Sequence, residues 1–70
     1  MLRERLINKL KSAGYKFHRD AWRVTFFKRG AIMVTVQKRD IIDDEVAVSI
    51  LRQAGIPHPD IQEFLRTCRN

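Results

Sequence analysis

Seventy residues form one domain, residues 1–70, of 44% hydrophobic content. A chain this short buries only roughly 60% of its unfolded surface, so its core is thin and each apolar stripe counts. No run is long and apolar enough to cross a bilayer, and a lone cysteine, Cys68, excludes an internal disulfide and leaves no partner for a metal site. The formal charge is +6 and the sequence pI about 10.3. That charge is unevenly spread: residues 1–39 hold eleven Lys/Arg against Glu4 and Asp20, a net +9, while residues 40–70 hold three against six acids, a net −3. A basic N-terminal half attracts polyanions, nucleic acid first and acidic protein or membrane second. The opening Met1-Leu2-Arg3-Glu4 has no apolar signal core, so a cytoplasmic location is expected.

The spacing predicts a helix over 2–13, with Leu2, Leu6, Leu10 and Ala13 on one stripe and Ile7 at its edge. Arg5 and Lys9 flank the stripe on one side, Arg3 and Lys11 on the other. Gly14 follows the last periodic residue and suits the left-handed position at a helix end. Three alternating runs come next. Tyr15 to Arg19 sets Tyr15 and Phe17 against Lys16 and His18. Trp22 to Lys28 sets Trp22, Val24 and Phe26 against Arg23, Thr25 and Phe27. Ala31 to Lys38 sets Ile32, Val34 and Val36 against Met33, Thr35 and Gln37. Asp20-Ala21 and Lys28-Arg29-Gly30 supply short turns, giving an antiparallel meander with one apolar face and one polar, basic face.

A second helix is expected near Asp43, where Asp43, Asp44 and Glu45 suit the positive end of the helix dipole and its caps. Ile42, Val46, Ala47, Ile50, Leu51 and Ala54 make its broad apolar face, and Gly55 ends it. Pro59 is placed as the first residue of a third helix, with Ile61, Phe64, Leu65 and Cys68 as its stripe. The expected architecture is α+β, in the order α-β-β-β-α-α, with the helices on one face of a three-stranded antiparallel sheet.

The open sheet face is then expected to carry Lys16, His18, Arg23, Thr25, Phe27, Met33, Thr35 and Gln37. The cations expected to contact nucleic acid are Arg5 and Lys9 on the first helix, and Lys16, Arg19, Arg23, Lys28, Arg29 and Lys38 on the sheet and its turns. Base stacking is a minor expectation, because alternation sends Tyr15, Trp22 and Phe26 inward and leaves Phe27 outward beside Met33. There is no Gly-rich phosphate loop, metal-ligand spacing or nucleophile elbow, and no cofactor is expected. His18, among Lys16 and Arg23, is the one candidate catalytic group: it suits a general base taking the proton from a ribose 2′-OH, with a cation stabilising the phosphorane charge. His58, between two prolines, reads as a loop or cap residue. Double-stranded-RNA-binding domains share the α-β-β-β-α order but carry lysines at the second helix N-terminus, where this chain has Asp43-Asp44-Glu45.

Two segments, "LINKLKSAGYKFHR" (6–19) and "SILRQAGI" (49–56), resemble the HicA family of small toxin proteins, the second being the specific one. The resemblance implies a double-stranded-RNA-binding-like fold, metal-independent endoribonuclease cleavage of messenger RNA, and inhibition by an antitoxin. Where that family carries Gly-Ser-His after the first strand, with a catalytic histidine, this chain reads "RDAWRVTF", with Trp22 or Arg23 at the place of the histidine. Two functions follow as expectations. One is a HicA-like RNA-binding protein whose cleavage site is altered or lost. The other is a nonenzymatic module whose basic half docks an acidic protein, an antitoxin or another factor, with Phe27 and Met33 adding apolar contact. Nonspecific DNA binding ranks third, since no helix-turn-helix spacing supports a sequence reader.

Overall fold

Two helices of this chain end alike, and their endings frame the domain. The computed structural model describes residues 1–68, and α1 spans Arg3–Ser12 and α2 Asp44–Gln53. After α1, Gly14 takes φ +94°, its N–H donates to the Lys11 carbonyl (3.0 Å), and the Tyr15 N–H donates to the Leu10 carbonyl (3.0 Å). After α2, Gly55 takes φ +79°, its N–H donates to the Arg52 carbonyl (3.0 Å), and the Ile56 N–H donates to the Leu51 carbonyl (3.1 Å). Both are Schellman closures, which satisfy the last carbonyls and turn the chain back on the helix. Leu10 with Tyr15, and Leu51 with Ile56, are the buried apolar pairs that accompany them.

These endings are bonded to each other. The Tyr15 hydroxyl donates to the Ala54 carbonyl at 2.8 Å, inside the core. Arg29 stacks over the Tyr15 ring at 4.8 Å and donates to both helix-end carbonyls, Ala13 at 2.8 Å and Ala54 at 3.4 Å. The specific segment "SILRQAGI" is therefore an architectural element: it stops α2 and locks that stop to the end of α1.

The sheet is antiparallel in the order β1 (Lys16–Asp20), β2 (Val24–Arg29), β3 (Ile32–Gln37). All three strands and the helices fall within a residue or two of the expected limits. The third helix, α3, runs His58–Cys68, one residue earlier than expected, with the Pro57 carbonyl accepting from Asp60 and Ile61. Ile61 and Leu65 are buried and Phe64 half-buried. The Cys68 side chain, the expected end of that stripe, lies outside the described residues. Asp43 is the α2 N-cap but makes no side-chain capping bond. Asp44 instead accepts from the Met1 ammonium at 3.3 Å, while Leu2 pairs with Ile41 in an isolated bridge.

Residues directly opposite in an antiparallel ladder share a face. Phe27 is opposite Val34, and Thr25 opposite Val36, and all four are buried against the helices. Phe26 is opposite Thr35, and Val24 opposite Gln37, on the outer face. The β2 alternation is thus inverted from the expected one: Phe27 and Thr25 face in, Phe26 and Val24 face out, and Trp22, which precedes the strand, is 86% exposed. Thr25 is tolerated inside because its hydroxyl donates to Asp20 Oδ1 (2.7 Å) and accepts from Arg3 Nη2 (2.8 Å). In β1 the register slips by one residue at His18: Phe17 pairs with Phe27, but Arg19 pairs with Phe26. That bulge moves Arg19 outward and lets Phe17 and Asp20 share the inner side.

Candidate nucleic-acid interface

The outer sheet face is built by three cross-strand rows. Lys16 and Lys28 are opposite each other on β1 and β2, with Met33 next in the row on β3. Arg19, Phe26 and Thr35 form the second row, and the Arg19 guanidinium lies 4.2 Å from the Phe26 ring centroid. Val24 and Gln37 form the third. The face holds three cations and no carboxylate, because Asp20, the sole acid between residues 5 and 39, is turned inward. Beyond the third row, Trp22 and Arg23 border a shallow pocket of about 390 Å³ shared with Lys38 and Arg39. The exposed Trp22 indole thus lies among three cations, and the Phe26 ring two rows away is covered by Arg19. Exposed aromatic faces among cations have the chemistry that suits stacked bases and phosphates in general.

The expected cations divide into two groups. Lys16, Arg19, Arg23 and Lys28 are exposed on or at the rim of the outer face. Arg29 is committed to the two helix ends and stands on the inner side, opposite Ile32. Lys9 is half-buried, its ammonium 6.0 Å from the Phe64 ring of α3, and Arg5 is exposed on α1. Lys38 pairs with Asp20 Oδ1 at 3.4 Å. Arg3 was expected only to flank the helix stripe, yet it donates to the Gln37 carbonyl (2.8 Å) and to Thr25. The Thr25 hydroxyl, opposed by partial desolvation and aided by the Lys38 and Arg3 charges, holds the Asp20 carboxyl below its ordinary value.

His18 is the extra residue of the β1 bulge and is exposed. No described side chain hydrogen-bonds it or pairs with it. His18 thus shares β1 with Lys16 and Arg19, and among the described residues no second proton-handling group is bonded to it. His58 is the first residue of α3 and is exposed. Among the described residues, no three His, Cys, Asp or Glu side chains are placed to hold a metal ion, and no helix is long and apolar enough to cross a membrane.

Sequence reasoning missed Trp22 and Phe26 as surface groups. The signal available was weak: "TFF" places an aromatic on each face, and nothing local in it says which one is buried. Compared with protein-family models, with curated proteins and with solved structures, the chain gives no match.

Proposed function

We propose that this protein is a HicA-like RNA-binding protein that takes single-stranded RNA on its outer sheet face. The single observation that carries this reading is the Lys16–Lys28 pair beside the Arg19-covered Phe26, on a face without carboxylates. Cations there neutralise phosphates without reading sequence, and Trp22 and the Arg19 guanidinium stacked on Phe26 offer flat surfaces that every base can stack on. Duplex RNA fits less well, since Asp43, Asp44 and Glu45 occupy the helix start that grips duplex phosphates in other domains of this strand order. Binding precedes cleavage in this account: His18 supplies one group able to take a ribose proton, and general acid–base cleavage also needs a group to protonate the leaving oxygen.

With Lys16, Arg19, Arg23 and Lys28 each neutralising a phosphate, the single-strand salt slope is about −3, so affinity falls roughly fiftyfold between about 50 and 200 mM salt. Gel shifts with single-stranded and duplex RNA and matched DNA, without divalent metal, test this together with any cleavage. Salt-independent retention, or preference for duplex, contradicts it. RNA cut by the wild type and left intact by His18→Ala would make His18 the base of an active endoribonuclease.

A second reading draws on Met33, 45% exposed on β3 beside Lys28: the same basic face docks an acidic protein, such as an antitoxin. Of the expected apolar pair Phe27 and Met33, only Met33 is on that face, because Phe27 is buried. A stable complex weakened by Met33→Glu, with no RNA binding, would favour it.

A further inference from the structure

β1 is exposed on both of its faces, and its inner side borders a groove unused by the outer-face reading. The groove, about 460 Å³, runs between α1 and the underside of β1 and β2. Its apolar surface comes from Ile7, Phe27 and Phe17, the last 58% exposed although it faces the helix side. Lys11 and Arg39 line it together with Arg3, which is bonded to Thr25, and Lys38, which is paired with Asp20; Asp20 and Asp40 are its two carboxylates. Lys38 and Arg39 also border the Trp22 pocket, so one pair of cations joins the outer surface to the groove around the end of the sheet.

We infer that this groove is a nucleotide site, taking a base against Phe17 and its phosphate at Lys11 and Arg39. It deepens the RNA reading and rests on it for its biological ligand: a single strand lying on the outer face would turn the end of the sheet at Lys38 and Arg39 and place one nucleotide inside. Three features support it. The volume falls within the range of small-molecule sites, and the lining is mainly charged, with Ile7, Phe17 and Phe27 as its apolar part. An accessible ring in a concave cationic setting is what a base uses, since stacking needs a flat partner and the phosphate needs charge within a nucleotide's length. Asp20 adds a directional acceptor: Oδ1 is taken by Thr25 and Lys38, while Oδ2 has no bond among the described residues and can accept from a base amino group.

The test titrates guanosine, adenosine and cytidine 5′-monophosphate, inorganic phosphate, and a poly-glutamate peptide into the ¹⁵N-labelled protein. Wild type, Phe17→Ala and Lys11→Glu are compared. Nucleotides are expected to shift the amides of Ile7, Lys11, Phe17 and Arg39, with affinity reduced at least about fivefold by Phe17→Ala. Lys11→Glu should weaken nucleotides and phosphate alike. Nucleotide shifts confined to the outer face and unchanged by Phe17→Ala overturn the inference. So does Phe17-dependent binding of the acidic peptide without nucleotide binding, which would make the groove a protein-docking site. The same variants are scored against a single-stranded RNA. RNA binding that is lost in a Lys16→Glu/Lys28→Glu variant but unaltered by Phe17→Ala leaves the outer-face reading standing and removes the groove. Nucleotides filling the groove of a protein that binds no RNA would do the reverse.

Discussion

β1 and β3 are the two edges of one sheet, yet they serve the domain differently. β3 alternates in its central residues, with Val34 and Val36 buried and Thr35 and Gln37 exposed, and α2 packs beneath it. β1 is exposed along its whole length. Phe17 and Phe27 show the contrast at one cross-strand pair: opposite each other, they are 58% and 3% exposed. The helix layer roofs the β2–β3 side of the sheet and leaves the underside of β1 open. In a domain with so little core, β3 contributes burial, whereas β1 contributes chiefly its ladder to β2 and leaves its side chains available for contact. Cations and a bulge on an edge strand also discourage unwanted strand pairing, so the role of β1 must be separated from simple edge protection by ligand measurements.

The largest expected effects break the contrast itself. Phe27→Ala removes a buried ring and should cost about 3–5 kcal/mol, enough to unfold much of a domain this small. Phe17→Ala, the same change directly across the ladder, should alter stability by no more than about 0.5 kcal/mol. Chemical denaturation of both variants measures the difference, and equal losses would mean that β1 is roofed after all. Next comes charge reversal on the outer face. Lys16→Glu with Lys28→Glu should weaken single-stranded RNA binding by at least about tenfold at low salt, with thermal stability nearly unchanged.

A smaller pair of effects separates framework from interface among the cations. Arg29→Met removes the brace between the two helix ends and should cost about 1–2 kcal/mol, while RNA affinity stays at the wild-type value. Gly55→Ala forces a Cβ into left-handed backbone and should cost a similar 1–2 kcal/mol or so. An RNA defect in Arg29→Met at full stability would return that residue to the interface. The smallest effect concerns pH. Because the Asp20 carboxyl titrates below its ordinary value, its contribution to stability is complete above about pH 4, the unfolded value, and is lost as pH falls through the lowered folded one. Asp20→Asn should remove that acid limb, leaving a flatter stability profile below about pH 4 in acid titration of unfolding.

The element order was legible because its signals are local: glycine after each long helical stripe, turn residues between alternating runs, and proline at the start of α3. The repeated phrase Leu-basic-x-Ala-Gly-apolar, at Leu10–Tyr15 and Leu51–Ile56, also announces two identical helix stops. The two stops are bonded to each other by Tyr15 and Arg29, which no local pattern reveals. For the same reason Arg29 read as a free surface cation: its partners lie 16 and 25 residues away. The β2 faces are not legible locally, because an alternation begun at Trp22 gives Trp22, Val24 and Phe26 the more apolar face, whereas the strand begins at Val24. Burying Thr25 instead is possible only through its bonds to Asp20 and Arg3, a tertiary arrangement. The bulge at His18 then shifted Arg19 to the outer face. Charge asymmetry pointed toward a basic surface, but which aromatics it carries depended on those two non-local features.

The most direct test of the central claim follows amide shifts of the ¹⁵N-labelled protein as a single-stranded RNA of about ten nucleotides is added at two salt concentrations. The account predicts salt-sensitive shifts along Lys16–Asp20, Trp22 and Val24–Lys28, with α2 and α3 unmoved. No shifts at low salt, or shifts centred on α2 and α3, would contradict it.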